Sequence, residues 1–187
     1  MEKLIAYHGS EAEKTAIITQ LNAHRAADEI IKGQYWQNGN GRAVGCTVHS
    51  CDHSLYESRF GIPHMLARLE DCIFEGLPND KAKDWPIRFM SAVNVGADLS
   101  LVGWKFLHWI LTDEKINPGI CHPLVRDAVA QAAAVIYQLA QGDPPIARAE
   151  SAESAARAAW RAARAASAES AAYEKMADVL IELIEAA

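Results

Sequence analysis

The sequence predicts an all-α fold, with a compact multi-helix core followed by a long alanine-rich C-terminal helix or helical hairpin. Apolar residues recur at helical spacing in several separate segments, which is the pattern of amphipathic helices. Glycine and proline clusters separate these segments, as at residues 117–119 and 142–145. Only residues 4–7 and 43–48 have a β-like pattern, and two such short stretches do not indicate a sheet.

The first predicted helix runs from Ser10 to Lys32. Ser10 and Glu13 form a capping-box pattern at its start, and Gly33 is a natural residue to end it. After a long connector, we expect a short helix from Asp52 to Phe60, closed by the glycine that follows.

Further helices are predicted downstream. A proline in the first helical position opens a helix at 63–75, and Asp84 caps a shorter one. Residues 101–111 are apolar on every side, which is typical of a central core helix. A turn signal then leads into a helix from Pro123 to about Gln141, and the Ala-rich composition of 146–187 favours one long helix or a hairpin.

Composition restricts the class of protein. At 187 residues, half of them hydrophobic, the chain can bury one sizeable core, predicted at 1–142 with a ligand loop at 33–59; the tail 146–187 packs on it or mediates oligomerisation. A net charge of −6 argues against a general nucleic-acid binder. We expect a cytoplasmic protein without a membrane partner, because no signal peptide, membrane span or secretory cysteine pattern is found.

The connector from Gly33 to Arg59 is the predicted functional segment, because connections inside compact domains typically run about 4 to 6 residues. Tyr35 and Trp36 offer flat faces for stacking, and Arg42 fits a phosphate or carboxylate with paired hydrogen bonds. Its glycines allow backbone N–H groups to approach a ligand closely. In the structural alternative, Trp36 fills the core and the glycines form tight turns.

The leading hypothesis is a binding pocket for a nucleotide-like or other anionic small molecule, with no cofactor. Its candidate residues are the aromatic, basic and titratable side chains in or near the connector: His8, His24, Tyr35, Trp36, Arg42, Cys46, His49, His53, Tyr56 and Glu57. Stacking, charge and hydrogen bonding to such a ligand all need these residue types.

A metal site is the first alternative. Cys46, His49, Cys51 and His53 are zinc-competent, but four ligands within eight residues leave no long loop between two ligand pairs. Additional ligands would have to come from elsewhere in the chain: His64, Cys72, Cys121 or His122. The favoured interpretation is that the cysteines are small buried hydrophobes and the histidines form local hydrogen bonds.

A hydrolase acting on the same class of ligand is the second alternative. If a helix includes His49, then His49, His53 and Glu57 share one helix face. The pattern differs from H-E-x-x-H metallohydrolases, because Ser50 stands where the general-base glutamate belongs. Glu57 would then orient His53 for acid–base catalysis, with or without a metal.

The alanine-rich tail suggests contact with other helices. Arg157, Arg161 and Arg164 recur on one face beside Trp160, most simply as a solvated basic stripe. Its alanine face lets another helix pack closely, so we expect the tail to dock on the core or on a second subunit of a homo-oligomer. In a third hypothesis, the tail blocks a macromolecular target.

Four runs of the chain, ADEIIKGQYWQNG, AVGCTVHS, GIPHMLARLED and IFEGLP, resemble a family of uncharacterised proteins from bacteria and their phages. The likeness covers roughly the first half of the chain closely, and the tail only in character. It brings no catalytic residues. It implies a bacterial or phage setting, and phage proteins of this size often counter host defence, some of them by sequestering nucleotide immune signals.

Overall fold

The computed structural model describes residues 4–33, 41–117, 123–142 and 170–187. Regular structure in these ranges is helical, apart from one isolated bridge between Ile30 and Gly41, which confirms the predicted all-α fold class. A short 3-10 turn, Ala6–Gly9, precedes the α-helices. Their bounds are α1 Glu11–Ala26, α2 Ala43–Val48, α3 Leu55–Phe60, α4 His64–Gly76, α5 Asn79–Ala82, α6 Trp85–Ala92, α7 Val102–Thr112, α8 Pro123–Ala140 and α9 Ser170–Glu185. A search of these helices finds no candidate for a membrane-crossing segment.

Helix α1 begins where predicted and ends six residues early. The Ser10 hydroxyl accepts a hydrogen bond from the Glu13 N–H at 3.3 Å, so the predicted N-terminal cap is confirmed. The predicted end at Lys32 is wrong, because Asp28 takes a left-handed conformation with φ 59° and turns the chain. Ile30 then pairs with Gly41 across the connector, with the Ile31 N–H donating to the Gly41 carbonyl at 2.9 Å.

Helix α2 corrects the β-like interpretation of residues 43–48. All six of its residues are buried, and the helix packs against α1, α4 and α6. A short run that is apolar on every side has no amphipathic period, so its pattern cannot separate a buried strand from a buried helix. The connector 33–59 therefore contains α2 and most of α3.

Two compact units make up the chain. The first comprises residues 1–100 together with 184–187, and the second comprises residues 101–183. In the first unit α1 packs on α6, α2 packs on α4, and the 3-10 turn packs on α3. The Tyr7 hydroxyl donates to the Met90 carbonyl at 2.5 Å, and Ala6 exchanges backbone hydrogen bonds with residues 96 and 97. Residues 6 and 7 are thus bound to residues 90–97 of the same unit.

Gly61 ends α3 at a position that only glycine fits. Its φ is 61°, in the left-handed region, and a Cβ built on it would lie 2.0 Å from the Ile5 carbonyl oxygen. The close approach brings α3 against the opening turn, where Tyr7 and Phe60 form an edge-to-face pair with ring centroids 6.4 Å apart.

The second unit is built around the α7–α8 pair. Helix α7 buries Phe106, Ile110 and other apolar side chains, which agrees with its all-round hydrophobicity. A side chain of α9 reaches the C-terminal end of α7: the Lys175 amine binds the Asp113 carboxylate at 2.5 Å and lies 5.3 Å from the Trp109 ring centre. Predicted tail residues 146–169 fall outside the described residues, whereas α9 has a buried face that includes Leu180.

Candidate functional site

The predicted site residues fall into local groups around α2, α3 and α4. Tyr35 and Trp36 lie outside the described residues. His8 is exposed, has a left-handed φ of 49°, and places its Nε2 atom 3.2 Å from the Ser58 carbonyl oxygen. The other seven form the groups described below.

His24, Glu29 and His49 form a hydrogen-bonded relay. A Glu29 carboxylate oxygen lies 2.6 Å from Nδ1 of His24, and Nε2 of His24 lies 3.0 Å from Nε2 of His49. Because a carboxylate only accepts, Nδ1 of His24 carries a proton. With both rings neutral, Nε2 of His24 then accepts from the Nε2–H of His49. When His49 takes up a second proton at Nδ1, the relay can pass its Nε2 proton to His24, so that His49 becomes neutral again and Glu29 stabilises the cation on His24.

Ring geometry shows that the relay is a hydrogen bond and not a pair of metal ligands. The two ring centroids lie 5.2 Å apart and the facing nitrogens 3.0 Å apart, a difference close to twice the radius of an imidazole ring. The two nitrogens therefore point at each other along nearly one line. Two ligands of one metal ion would instead point their lone pairs at a third position.

His49 owes its position to the end of α2. It has a left-handed φ of 54°, and its backbone N–H closes the helix on the Gly45 carbonyl. The Gln20 amide donates to the Cys46 carbonyl at 2.7 Å and links α1 to α2. His49 as a whole residue is exposed. Desolvation of its imidazole nevertheless lowers the pKa of His49, and the nearby His24 and Arg59 lower that pKa further.

The predicted single helix face carrying His49, His53 and Glu57 is wrong. Helix α2 stops at Val48, and α3 starts at Leu55, so the three residues lie on different elements. Each has a separate partner: His49 contacts His24, His53 contacts Asp71, and Glu57 contacts His64.

His53 and Arg42 meet at a buried carboxylate of α4. One Asp71 oxygen lies 3.2 Å from Nε of Arg42 and 3.3 Å from Nε2 of His53. Arg42 also lies 4.0 Å from the Glu75 carboxylate, one turn further along α4. The positive charge of Arg42 is thus largely balanced inside the protein.

Tyr56 and Cys46 are fully buried beside a second carboxyl of α4. The Tyr56 hydroxyl donates to Glu70 at 2.6 Å, and Glu70 has no exposed surface. Burial raises the pKa of Glu70 well above its ordinary value, and the neighbouring Asp71 charge raises it further. Burial likewise raises the pKa of the Cys46 thiol, to about 12, which disfavours the thiolate that binds metals.

The sequence does not single out Glu70 and Asp71 as site residues. One oxygen of each, Oε1 of Glu70 and Oδ1 of Asp71, is buried without a hydrogen-bond donor among the described residues. A signal is present for Glu70, because it follows Leu66 by four residues and precedes Ile73 by three, which places it on the apolar face of α4. Asp71 has the same signal, because it follows Ala67 by four residues and precedes Phe74 by three.

A polar depression opens beside these groups. It has a volume of about 300 Å³ and is lined by Cys51, Asp52, His53, Ser54, Glu57, His64 and Arg68. Two of its imidazoles are held by carboxylates: His53 by Asp71, and His64 by Glu57, whose Oε1 lies 3.4 Å from Nδ1 of His64. We refer to this site as the polar depression.

Within the described ranges, no group of three or more histidine, cysteine or acidic side chains is arranged to hold a metal ion. Of the additional ligands that the sequence offers, Cys121 and His122 lie outside those ranges. Cys46 is buried next to the Gly41 carbonyl, which its thiol contacts at 3.2 Å.

No family model, curated protein or solved structure matches this chain. The resemblance to bacterial and phage proteins therefore stays a hypothesis. Evidence on function comes from the side chains around α2, α3 and α4.

Proposed function

We propose that this protein binds a small anionic molecule, nucleotide-like in the most concrete version, in the polar depression. The observation that carries the proposal is Arg68. Its side chain is exposed at the depression and has no hydrogen-bond or ion-pair partner among the described residues. An unpaired guanidinium is well suited to a phosphate or carboxylate, because it can donate two parallel hydrogen bonds.

The surroundings of Arg68 support the same ligand class. His53 and His64 add two imidazoles, and each can donate to an anion from its second ring nitrogen when the ring carries both protons. The volume lies at the lower end of the range for small-molecule sites, about 300 to 1,000 Å³. It suits a phosphate with part of a nucleoside better than a large cofactor.

Not every candidate residue is expected to touch the ligand. His53 and Glu57 line the depression, whereas Cys46 and Tyr56 are fully buried and do not line it. Arg42 contributes indirectly, because its contact with Asp71 fixes the carboxylate that holds His53.

Isothermal titration against inorganic phosphate, mononucleotides, cyclic dinucleotides and ADP-ribose tests the proposal. We expect at least one nucleotide to bind, and Arg68→Gln to weaken its binding by about tenfold or more. Arg126→Gln removes the same charge from an exposed arginine of α8 and should leave binding unchanged. Absence of binding across the panel, or equal binding by Arg68→Gln, overturns the proposal.

A hydrolase is the second candidate, and the two carboxylate-held imidazoles favour it. His53 and His64 face the same depression, and a carboxylate partner orients an imidazole for general acid–base catalysis. The bound nucleotide should be recovered from denatured protein and identified by mass spectrometry. Intact ligand supports binding alone, whereas conversion that His53→Asn abolishes supports turnover.

A further inference from the structure

We propose that Glu57 is an internal competitor for the anion position of the polar depression, and that a ligand has to displace its carboxylate. The inference rests on the proposed function and adds a regulatory contact to it. The site would then take a ligand whose anionic group replaces a carboxylate, such as a phosphate monoester.

The Glu57 carboxylate is in contact with His64. Its Oε1 atom accepts the backbone N–H of His64 at 3.0 Å and lies 3.4 Å from Nδ1 of the same residue. One carboxylate oxygen therefore accepts the backbone N–H donor of His64 and lies within ion-pair distance of its Nδ1 donor. A bound anion would need these same donors.

Arg68 lies close to His64 on α4. Arg68 follows His64 by four residues in α4, so the two side chains lie on the same face of the helix, one turn apart. An anion held by His64 is thus within reach of Arg68 as well. Among the described residues, Glu57 forms an ion pair with His64 and not with Arg68. Its carboxylate therefore neutralises only one of the two side chains that an anion could contact.

The contact between Glu57 and His64 is exposed to solvent. The side chains of Glu57 and His64 are 41% and 47% exposed, so water can replace either partner. Ion pairs this exposed add little to stability. A ligand that gains both His64 and Arg68 can therefore displace Glu57 without breaking the fold.

Asp52 provides a matched control. It lines the same depression and carries the same charge, but its Oδ1 atom accepts from the N–H and hydroxyl of Ser54 at 2.9 and 2.7 Å. Asp52→Asn removes one negative charge from the depression without releasing His64. Any gain from charge alone will appear in both variants.

The test is titration of wild type, Glu57→Gln, Asp52→Asn and Arg68→Gln with inorganic phosphate and with ADP. We expect Glu57→Gln to bind about three- to tenfold more tightly than wild type, and clearly more tightly than Asp52→Asn. Saturating wild type with phosphate should also move the His64 amide resonance, in a protein NMR spectrum, towards its position in Glu57→Gln. Thermal melting checks that each variant is folded.

The outcomes separate the two proposals. Equal affinity of Glu57→Gln and Asp52→Asn, with binding still weakened about tenfold or more in Arg68→Gln, overturns the competitor role of Glu57 and leaves the proposed function standing. Weaker binding by Glu57→Gln makes Glu57 a ligand contact and also overturns it. No binding of any nucleotide by any variant overturns both.

Discussion

The burial of Glu70 makes the stability of the folded protein depend on the protonation state of this one side chain. It is fully buried, and only one of its two oxygens has a hydrogen-bond partner among the described residues, the Tyr56 hydroxyl. A charged carboxylate with an unpartnered oxygen is costly in such a place, so the folded protein favours the neutral acid. Folding and proton binding are therefore coupled at this residue.

We predict that Glu70→Gln reduces the loss of stability with rising pH. Burial raises the folded pKa of Glu70 above its ordinary value of 4.5. The contribution of the neutral Glu70 side chain to the free energy of unfolding is therefore fully present below pH 4.5 and declines as pH rises towards the folded pKa. The cost is about 1.4 kcal/mol for each pH unit by which folding raises the pKa. Urea unfolding of both proteins between pH 5 and 8 measures it.

The control for this prediction is Glu75→Gln, on the same helix but with a partly exposed side chain. It should keep the wild-type slope of unfolding free energy against pH. A slope in Glu70→Gln that equals that of wild type contradicts a neutral Glu70.

His49 should make the free energy of unfolding change with pH in the opposite direction. Because desolvation, His24 and Arg59 lower its folded pKa below the ordinary 6.5, the folded protein resists its protonation, and stability is lost as pH falls below 6.5. We predict that His49→Asn loses less unfolding free energy than wild type between pH 7 and 5. The difference should stay below about 1 kcal/mol, because solvent screens the charge of an exposed residue. Urea unfolding at several pH values measures it.

His8→Asn is the matched comparison, because asparagine tolerates the left-handed conformation of both histidines. His8 also has a left-handed φ, but its imidazole contacts a backbone carbonyl rather than a second imidazole. If both asparagine variants change the acid slope equally, the relay is not the cause.

Residue types are predictable from the sequence at this scale, and their partners are not. His24, His49 and His53 stand out because imidazoles in a polar segment often do chemistry. Their contacts depend on the path of the backbone: His24 meets His49 only because α2 returns to α1, and His53 meets Asp71 across 18 residues of sequence. Periodicity within one helix carries no information on such pairs.

At the scale of elements, the junction between α3 and α4 decides how the polar depression is built. Gly61 ends α3 in a left-handed conformation against Ile5, and His64 begins α4 three residues later. This short turn places Glu57 of α3 beside His64 of α4. Any shift of the turn will move both.

We predict that Gly61→Ala destabilises the protein by more than about 3 kcal/mol. A left-handed conformation costs a residue with a Cβ about 1 to 2 kcal/mol, and overlap with the Ile5 carbonyl at 2.0 Å adds to it. Gly96→Ala is the control, because Gly96 has φ 83° with open space around it. It should lose only the conformational part, about 1 to 2 kcal/mol, in chemical denaturation; equal losses would contradict the steric argument.

Helix starts are easier to predict than helix ends. The Ser10 cap has a local cause, a hydroxyl and a backbone N–H three residues apart, and the sequence identifies it correctly. After α1 ends at Ala26, the left-handed Asp28 turns the chain so that Ile30 pairs with the distant Gly41, whereas the glycine at position 33 suggests a later stop. Local rules do not describe contacts between segments.

At the scale of the whole molecule, α9 belongs to a core rather than to a detachable tail. Met176, Ala177 and Leu180 are buried at helical spacing, and Lys175 binds Asp113 within the second unit. Deleting residues 146–187 to test the tail would therefore remove core side chains. Point substitutions are the better tool.

We predict that Leu180→Ala lowers the free energy of unfolding by about 2 to 5 kcal/mol, because it leaves a cavity in a fully buried position. Glu182→Ala, on the exposed face of the same helix, should change it by less than about 0.5 kcal/mol. Thermal or urea unfolding gives both values. Equal, small effects would show that α9 is not part of the core.

The opening turn has a consequence for biosynthesis. Ala6, Tyr7 and Lys14 find their hydrogen-bond partners at Met90, Val93 and residues 96–97. Those partners leave the ribosome only after the intervening helices have emerged. Residues 6 to 14 must therefore wait for residues 90 to 97 of the same unit, and a nascent chain halted before residue 97 exposes residues 6 to 14 to chaperones without these partners.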